Sequence, residues 1–524
     1  MLCWQQGQRL AVSLVRRAGT SALRGVVSPD VKRVAYVTDV EGNWAYFVRA
    51  AQASPVLSLA GGTPERVRRI QREDGMGSLE EGVAAVESIS PDALELADDG
   101  ALVFGGDVFD RGIGDTTCLE ALLSLRRRYP GRVFWTLGNR DINKARLASE
   151  LLDPAELARD PDQIGGPYWV PKMFRVPWAL HAARSGYAAG APELHDPYTR
   201  LDYILKRTMG CDQRTLDHRR IELAARSSSP SRLDLVSNDD LVRSFSDLVA
   251  PSEDSPYAQY LDAGSAVLRI GNALFVHGAI DELCLSSTPQ EIAYTHGVPK
   301  ASDDPYSTFP PDVTWSPKKP LDEIDVDAWI GATNDWLHAG FRDWLASPFY
   351  DKDRVTRGGE GFIGYANQAC MAGRTVVYNN WLINGAPVPP GRRLAAALAD
   401  QGIHRIFSGH QPFGDHPLVL KQGPLTVLAA DTSYSDVSAY DNRGAAVAAV
   451  TIHLDSETTH VSGVLADGSQ YEYDTQSNPR VGSTVQTKHG NAYITAKLTH
   501  RRPAYIARTG TGFNVHTSYL RDQE

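Results

Sequence analysis

Cysteine is sparse in this chain. Its five thiols (Cys3, Cys118, Cys211, Cys284 and Cys370) are scattered and form no C-x-x-C pair. That excludes a disulfide framework and a zinc ribbon, and it fits a reducing compartment. Long apolar runs are missing as well. None approaches the ~20 residues that a membrane helix needs, so no membrane span is expected. Positive charge is in deficit, with 53 Lys and Arg against 63 Asp and Glu and a formal net charge of -10. A general nucleic-acid binder carries the opposite balance, so extensive nucleic-acid contact is not expected. What is present is ordinary: 524 residues, 42% hydrophobic and 22% charged, the composition of a soluble globular protein. Such a length admits two to four domains, or one large sheet enzyme with insertions.

Acid is absent from the first 29 residues, "MLCWQQGQRLAVSLVRRAGTSALRGVVSP", which carry Arg9, Arg16, Arg17 and Arg24. At helical spacing Trp4, Ala11, Leu14, Val15, Ala18 and Ala22 fall opposite the arginines. An Arg-rich, acid-poor, amphipathic start reads as an organellar transit peptide, with mitochondrial or other organellar localisation. A disordered basic tail on a cytoplasmic protein is the alternative. A secretory signal fits poorly, because arginines interrupt the apolar stretch.

Four strand-like runs each end in a polar cluster: "KRVAYVTDVEGN", "GALVFGGDVFDRG", "GRVFWTLGNRD" and "ALFVHGAI". A fifth, "HRIFSGHQPFGD", comes much later. Helix-like segments follow the first three, and strand, polar turn, helix, repeated, marks a layered α/β core. The later runs "PLTVLAADTS", "AAVAAVTIHL" and "HVSGVLAD" have no helices between them, so they are expected to form a second, antiparallel sheet. The architecture expected is α/β: two sheets packed face to face, with outer helices. Residues 30–475 form this core, interrupted by insertions at about 150–265 and 281–390; residues 476–524 follow as a C-terminal extension. Both insertions read helical and are expected to cap the active face. Within the second, Ile324, Trp329, Trp336, Phe341 and Trp344 recur near helical spacing, which reads as core packing. No internal repeat is found.

The polar residues at the strand ends are Asp39 and Glu41, Asp107 and Asp110 with Arg111, Asn139, His277, and His410. A single histidine after a strand is usually structural. Oxygen and imidazole donors from five separate strands, delivered to one edge, are a rarer coincidence. The chemistry that needs such a set is a dinuclear metal site, whose two cations ~3.5–4 Å apart activate a water and clamp phosphate oxygens.

The order Asp39-x-Glu41, Gly106-Asp107-x-x-Asp110-Arg111-Gly112, Gly138-Asn139-Arg140-Asp141, Val276-His277-Gly278 and Gly409-His410-Gln411-Pro412 resembles the calcineurin-like metallophosphoesterases. Within them it is most similar to the phosphoprotein phosphatase branch, which includes serine/threonine phosphatases and bacterial diadenosine tetraphosphatases. The stretch "AADTSYSDVSAYDNRGAAVAAV" resembles that branch's Tyr-containing loop. The resemblance implies a two-sheet sandwich and two divalent ions drawn from Mn, Fe, Mg and Zn. It also implies a phosphorylated small molecule or phosphoprotein as substrate. Asp39, Glu41 and Asp107 would hold the first metal; Asp107, Asn139, His277 and His410 the second. Arg111 would grip the phosphate, Asp110 would orient the group at the next turn, Arg374 would supply a further phosphate contact, and Tyr434 would line the pocket. His416 is left out, since the branch uses only the first histidine of that stretch.

Two departures stand out. The first motif carries Glu41 where the family has histidine, which makes the first site carboxylate-only and favours Mg²⁺ or Mn²⁺ over Zn²⁺; manganese is the favoured ion. Arg140 stands where the family has the histidine thought to protonate the leaving oxygen. A guanidinium does not deprotonate in proteins, so Arg140 is expected to pair with Asp110 and to act on charge. Two functions therefore remain open. One is a metal-dependent phosphohydrolase suited to good leaving groups. The other is a catalytically degenerate phosphatase-fold pseudoenzyme serving as a binding or scaffold subunit of an organellar assembly.

Overall fold

The computed structural model describes residues 27–73, 76–167, 170, 172–188, 190–227, 235–292, 317–351, 357–367, 373–432, 445–499, 504–512 and 514–521. The leader expected at the N-terminus therefore lies outside the described residues up to residue 26, as does Tyr434.

The core strands are β1 (Arg33–Val37), β2 (Gly100–Phe104), β3 (Val133–Trp135), β4 (Val267–Ile270), β5 (Ala273–Val276), β6 (Arg405–Ser408), β7 (Leu418–Gln422), β8 (Leu425–Ala429), β9 (Val447–His453), β10 (Thr459–Val464) and β11 (Gln470–Asp474). They form a six-stranded sheet in the order β11–β10–β9–β1–β2–β3 and a five-stranded sheet in the order β7–β8–β6–β5–β4. Strands β1, β2 and β3 run parallel, as do β5, β6 and β8. Parallel strands turn all their C-terminal ends to one edge, where α/β proteins gather their chemistry.

Strand periodicity of two divides the core into layers. Val34 and Tyr36 of β1, and Ala101 and Val103 of β2, face the space between the sheets with Phe275 and Phe407. Their neighbours Ala35, Val37, Leu102 and Phe104 face the helices instead. Between the sheets the rings of Phe275 and Phe407 stack at 5.0 Å, with Tyr36 at 5.7 and 5.6 Å from them. Two sheets flanked by helices is the mixed α/β architecture expected from the sequence.

The assignment of the late strands needs correction. Only β8 joins the second sheet; β9 and β10 extend the first. Strand β9 pairs antiparallel with β1, Val34 opposite Ile452 and Tyr36 opposite Val450. Without it, β1 would expose a row of unpaired backbone groups along one side. Strand β9 is buried through Val447–Ile452, as befits an interior position covered on both faces.

Residues beyond 476 contain a further antiparallel sheet, β12 (Thr484–Thr487), β13 (Gly490–Lys497), β14 (Ala504–Thr511) and β15 (Asn514–Arg521). Its Ile494, Ala496 and Ile506 share the intersheet core. From β14, Arg508 pairs with Asp415 and donates to the carbonyl of Phe413 at 3.3 Å. From β13, the Thr495 hydroxyl meets His416 Nε2 at 2.6 Å. The loop that follows β6 is thus held from the C-terminal sheet.

The described parts of both insertions are mainly helical. The helix Val326–Ala346 buries Trp329, Phe341 and Trp344, with Trp336 half-buried, so the aromatic stripe packs the core. The helix Gln213–Arg226 places Arg219 and Glu222 against Asp115, at the start of the helix Asp115–Arg128. Arg219 lies 3.1 Å from Asp115 Oδ2 and 3.4 Å from Glu222 Oε2. Two buried acids thus share one guanidinium. Burial pushes the Asp115 carboxyl up to about 7, with Arg219 opposing and the Glu222 charge reinforcing the rise. An unfolded Asp titrates near ~3.9, so between about pH 4 and 7 the native state holds a proton that the unfolded chain has lost. Stability from this group is present below that window and falls as pH rises through it. Urea unfolding across pH 4–8 should show the decline, and Asp115→Asn should flatten it. An equal slope in the variant would assign the decline to other groups.

Candidate metal centre

Three of the loops at the shared edge, those bearing Asp39, Asp107 and His410, use backbone that side chains rarely accept. Six non-glycine residues among the described ones have positive φ, and four of them are Asp39 (51°), Glu41 (46°), Asp107 (55°) and His410 (74°). Such conformations cost on the order of 1–3 kcal/mol each and gather where function demands them. Space is equally constrained. A Cβ on Gly138 would stand 2.0 Å from Asp107 Oδ1, and one on Gly106 would stand 2.6 Å from the Gly138 nitrogen.

Asp107, His277 and His410 converge. Their ligand atoms lie within 4.8 Å of one another, the one such group of His, Cys, Asp and Glu among the described residues. Asn139 joins them, its Oδ1 at 3.2 Å from His277 Nε2, and Asp107 Oδ2 lies at 3.3 Å from the same nitrogen. The other ring nitrogen, Nδ1, meets the Gly105 carbonyl at 2.8 Å. That bond orients the ring and turns Nε2 inward, the arrangement that metal-binding histidines use. The donor set of carboxylate, amide oxygen and two imidazoles fits one divalent cation.

Electrostatics divide the donors: burial opposes a charge on His277, yet the adjoining Asp107 carboxylate raises its pKa above the usual imidazole value. Burial opposes the Asp107 carboxylate, yet His277, Arg140 and His410 bring it down to about 2. Burial and the neighbouring His277 push His410 down to about 3, leaving it neutral and able to donate a lone pair. The Asp141 carboxylate, wholly buried, accepts the backbone N–H groups of Asp107 (2.9 Å), Val108 (2.8 Å) and Gly138 (2.8 Å) and the Tyr260 hydroxyl (3.0 Å). It fixes the Asp107 and Asn139 turns against each other. Asp141→Asn turns one acceptor into a donor facing these N–H groups. It should lower the unfolding free energy by about 2 kcal/mol, read from urea midpoints. A change below ~0.5 kcal/mol would mean that the turns hold without it.

The remaining expected site residues fall into two groups. Asp39 is not in the ligand cluster; its carboxylate accepts the His410 backbone N–H at 3.0 and 3.2 Å and the Thr38 hydroxyl. Glu41 faces Arg140, with Oε1 3.0 Å from Nε. Arg140 also lies 2.7 Å from Asp110 and 3.6 Å from Asp107, so the expected pairing with Asp110 is present as one of three. Arg111 lies 3.4 Å from Asp110 and donates to the Gly210 carbonyl at 3.1 Å, a contact supplied by the first insertion. Arg374 is half-exposed and its ion pair is with Asp281, at 2.7 Å.

Sequence reading missed four neighbours of this centre. Cys211 donates to Asp110 at 3.1 Å, and the Tyr378 ring lies 5.2 Å from His410. Both come from insertions, where no local pattern marks them. Thr38 follows β1 directly and Asp431 comes two residues after β8, so the strand-end criterion that found Asp39 could have found them. Asp431 is buried, and its charge acts on Asp39, whose pKa rises through burial first and then through this neighbour.

No protein-family model matches the chain, and no curated protein does. Among solved structures the chain is similar to a cold-active protein-tyrosine phosphatase from the psychrophile Shewanella sp., at 12% identity over 86% of this chain and 83% of that one, with a TM-score of 0.36. It is also similar to a protein serine/threonine phosphatase from Saccharomyces cerevisiae, at 12% identity over 84% and 82% of the two chains, with a TM-score of 0.28. At this distance the likeness carries no argument about activity, and the reading of the site rests on its own residues.

Proposed function

We propose that this chain is a metal-dependent phosphohydrolase acting on a phosphoanhydride or on a phosphoester with a good leaving group. The observation that carries the reading is the convergence of Asp107, His277 and His410, with Asn139, at the C-terminal edge of the parallel strands. A divalent ion there supplies Lewis acidity and a water of lowered pKa. Asp107, Asn139, His277 and His410 would hold it, and the Gly105 carbonyl orients the His277 ring. Arg111 and Arg140, both held against Asp110 beside this cluster, offer fixed positive charge for phosphate oxygens. Arg140 keeps its proton at neutral pH, so the leaving group departs without help from that position. Substrates of this kind are phosphorylated small molecules or phosphoproteins.

The test is hydrolysis by the Mn²⁺-loaded protein of aryl phosphates, dinucleoside polyphosphates, pyrophosphate and phosphopeptides, with a chelated control. Metal-dependent turnover of the anhydrides and aryl esters is expected. A second reading has its own observation: Arg140 neutralises acids that would otherwise attract a ligand, as in a retired site. Bound metal without turnover of any panel member would favour that scaffold reading.

A further inference from the structure

The two-ion expectation assigned Asp39, Glu41 and Asp107 to a first metal. The three carboxylates are differently engaged. Asp39 clasps the backbone N–H of His410 and the hydroxyl of Thr38. Glu41 lies 3.0 Å from Arg140 Nε, and the same guanidinium reaches Asp110 at 2.7 Å and Asp107 Oδ2 at 3.6 Å. The Arg140 backbone N–H adds a bond to Asp107 Oδ1 at 2.8 Å. Its cation therefore sits against both Glu41 and Asp107, the acids that a first ion would need to share.

We infer that Arg140 replaces the first metal, so that the site holds one divalent ion, bound by Asp107, Asn139, His277 and His410. The inference rests on the metal-dependent reading above. Two physical features support it. A guanidinium carries a permanent charge on a planar fork suited to carboxylates, and here it is locked by Asp110, an acid buried behind it. A second divalent ion placed on Glu41 and Asp107 would face that fixed cation at contact distance and would be repelled. The histidine side of Asp107 carries no such fixed guanidinium: its neighbours there are the His277 and His410 imidazoles and the Asn139 oxygen. Glu41 then has a clear use as counter-ion: it holds the guanidinium beside the metal, where both can contact one phosphate. A bound phosphate would then meet the ion held by the histidine side and the Arg140 guanidinium on the carboxylate side.

The test is metal counting on the full-length protein, loaded with Mn²⁺ and freed of unbound ion by gel filtration. Elemental analysis should find one equivalent in the wild type, and electron paramagnetic resonance should show an isolated Mn²⁺ ion. Arg140→His removes the fixed cation and restores an imidazole beside Glu41. It should take up a second equivalent and give the signal of a coupled pair. Two equivalents in the wild type overturn the inference and leave the metal-dependent reading standing. No metal in the wild type overturns that reading itself. A single equivalent in both proteins also overturns the inference, because something other than Arg140 then excludes the second ion. The wild-type count does not depend on the variant folding.

Discussion

Asparagine at position 107 should give a folded protein that binds no metal and has lost hydrolysis by on the order of 10³-fold or more. Asp107 is the carboxylate in the convergent group, and its Oδ2 lies 3.3 Å from His277 Nε2. An amide keeps the size of the side chain and can still accept the Arg140 backbone N–H that now meets Oδ1. It removes the negative charge that a cation requires. The loop itself is held by Asp141 through backbone N–H groups, which the substitution leaves in place. Elemental analysis, turnover of an aryl phosphate and a urea midpoint, measured together, check the three parts. Undiminished metal content in Asp107→Asn would remove the proposed centre.

The second large effect concerns the leaving group. Turnover by the wild type should fall steeply as a series of substituted aryl phosphates becomes more basic, because Arg140 offers charge and no proton. General acid catalysis is worth about 10²–10⁴-fold. Arg140→His should recover part of that factor, most for alkyl phosphates, and should flatten the dependence on leaving-group pKa. Asp110, 2.7 Å from the present guanidinium, is placed to orient the new imidazole. A shallow slope in the wild type would mean that another group gives the proton. Tyr378 would be the first to examine, since it stands beside His410 and its own pKa is raised by burial first, with Arg140 opposing.

The core strands and most of the site were legible because the relevant signals are local. Each of Asp39, Asp107, Asn139, His277 and His410 comes within four residues after an apolar run that proved to be a strand, and the polar cluster itself marked the turn. Sheet membership carried no such mark. The run "AAVAAVTIHL" reads the same whether it starts a second sheet or pairs with β1, and only the distant register of Val34 with Ile452 decides. The role of Arg140 was half-legible. Its turn placed it beside Asn139 and predicted Asp110 as a partner, but the approach of Glu41 depends on the positive φ of a neighbouring loop. Contacts from the insertions, such as Cys211 on Asp110, had no signal to read, because helical connections bring them in from a hundred residues away.

The clasp on the loop after β6 sets a timetable for the newborn chain. A ribosome delivers Asp39 and Asp107 early, and His410 hundreds of residues later. The loop bearing that histidine is pinned through Phe413, Asp415 and His416 by Arg508 and Thr495, which are synthesised later still. Until residue 508 has emerged from the exit tunnel, the loop bearing the histidine lacks that anchor. A premature stop codon near position 490 would spare every residue of the candidate cluster and the Asp39 bond to His410, and would remove the Arg508 and Thr495 anchors of its loop.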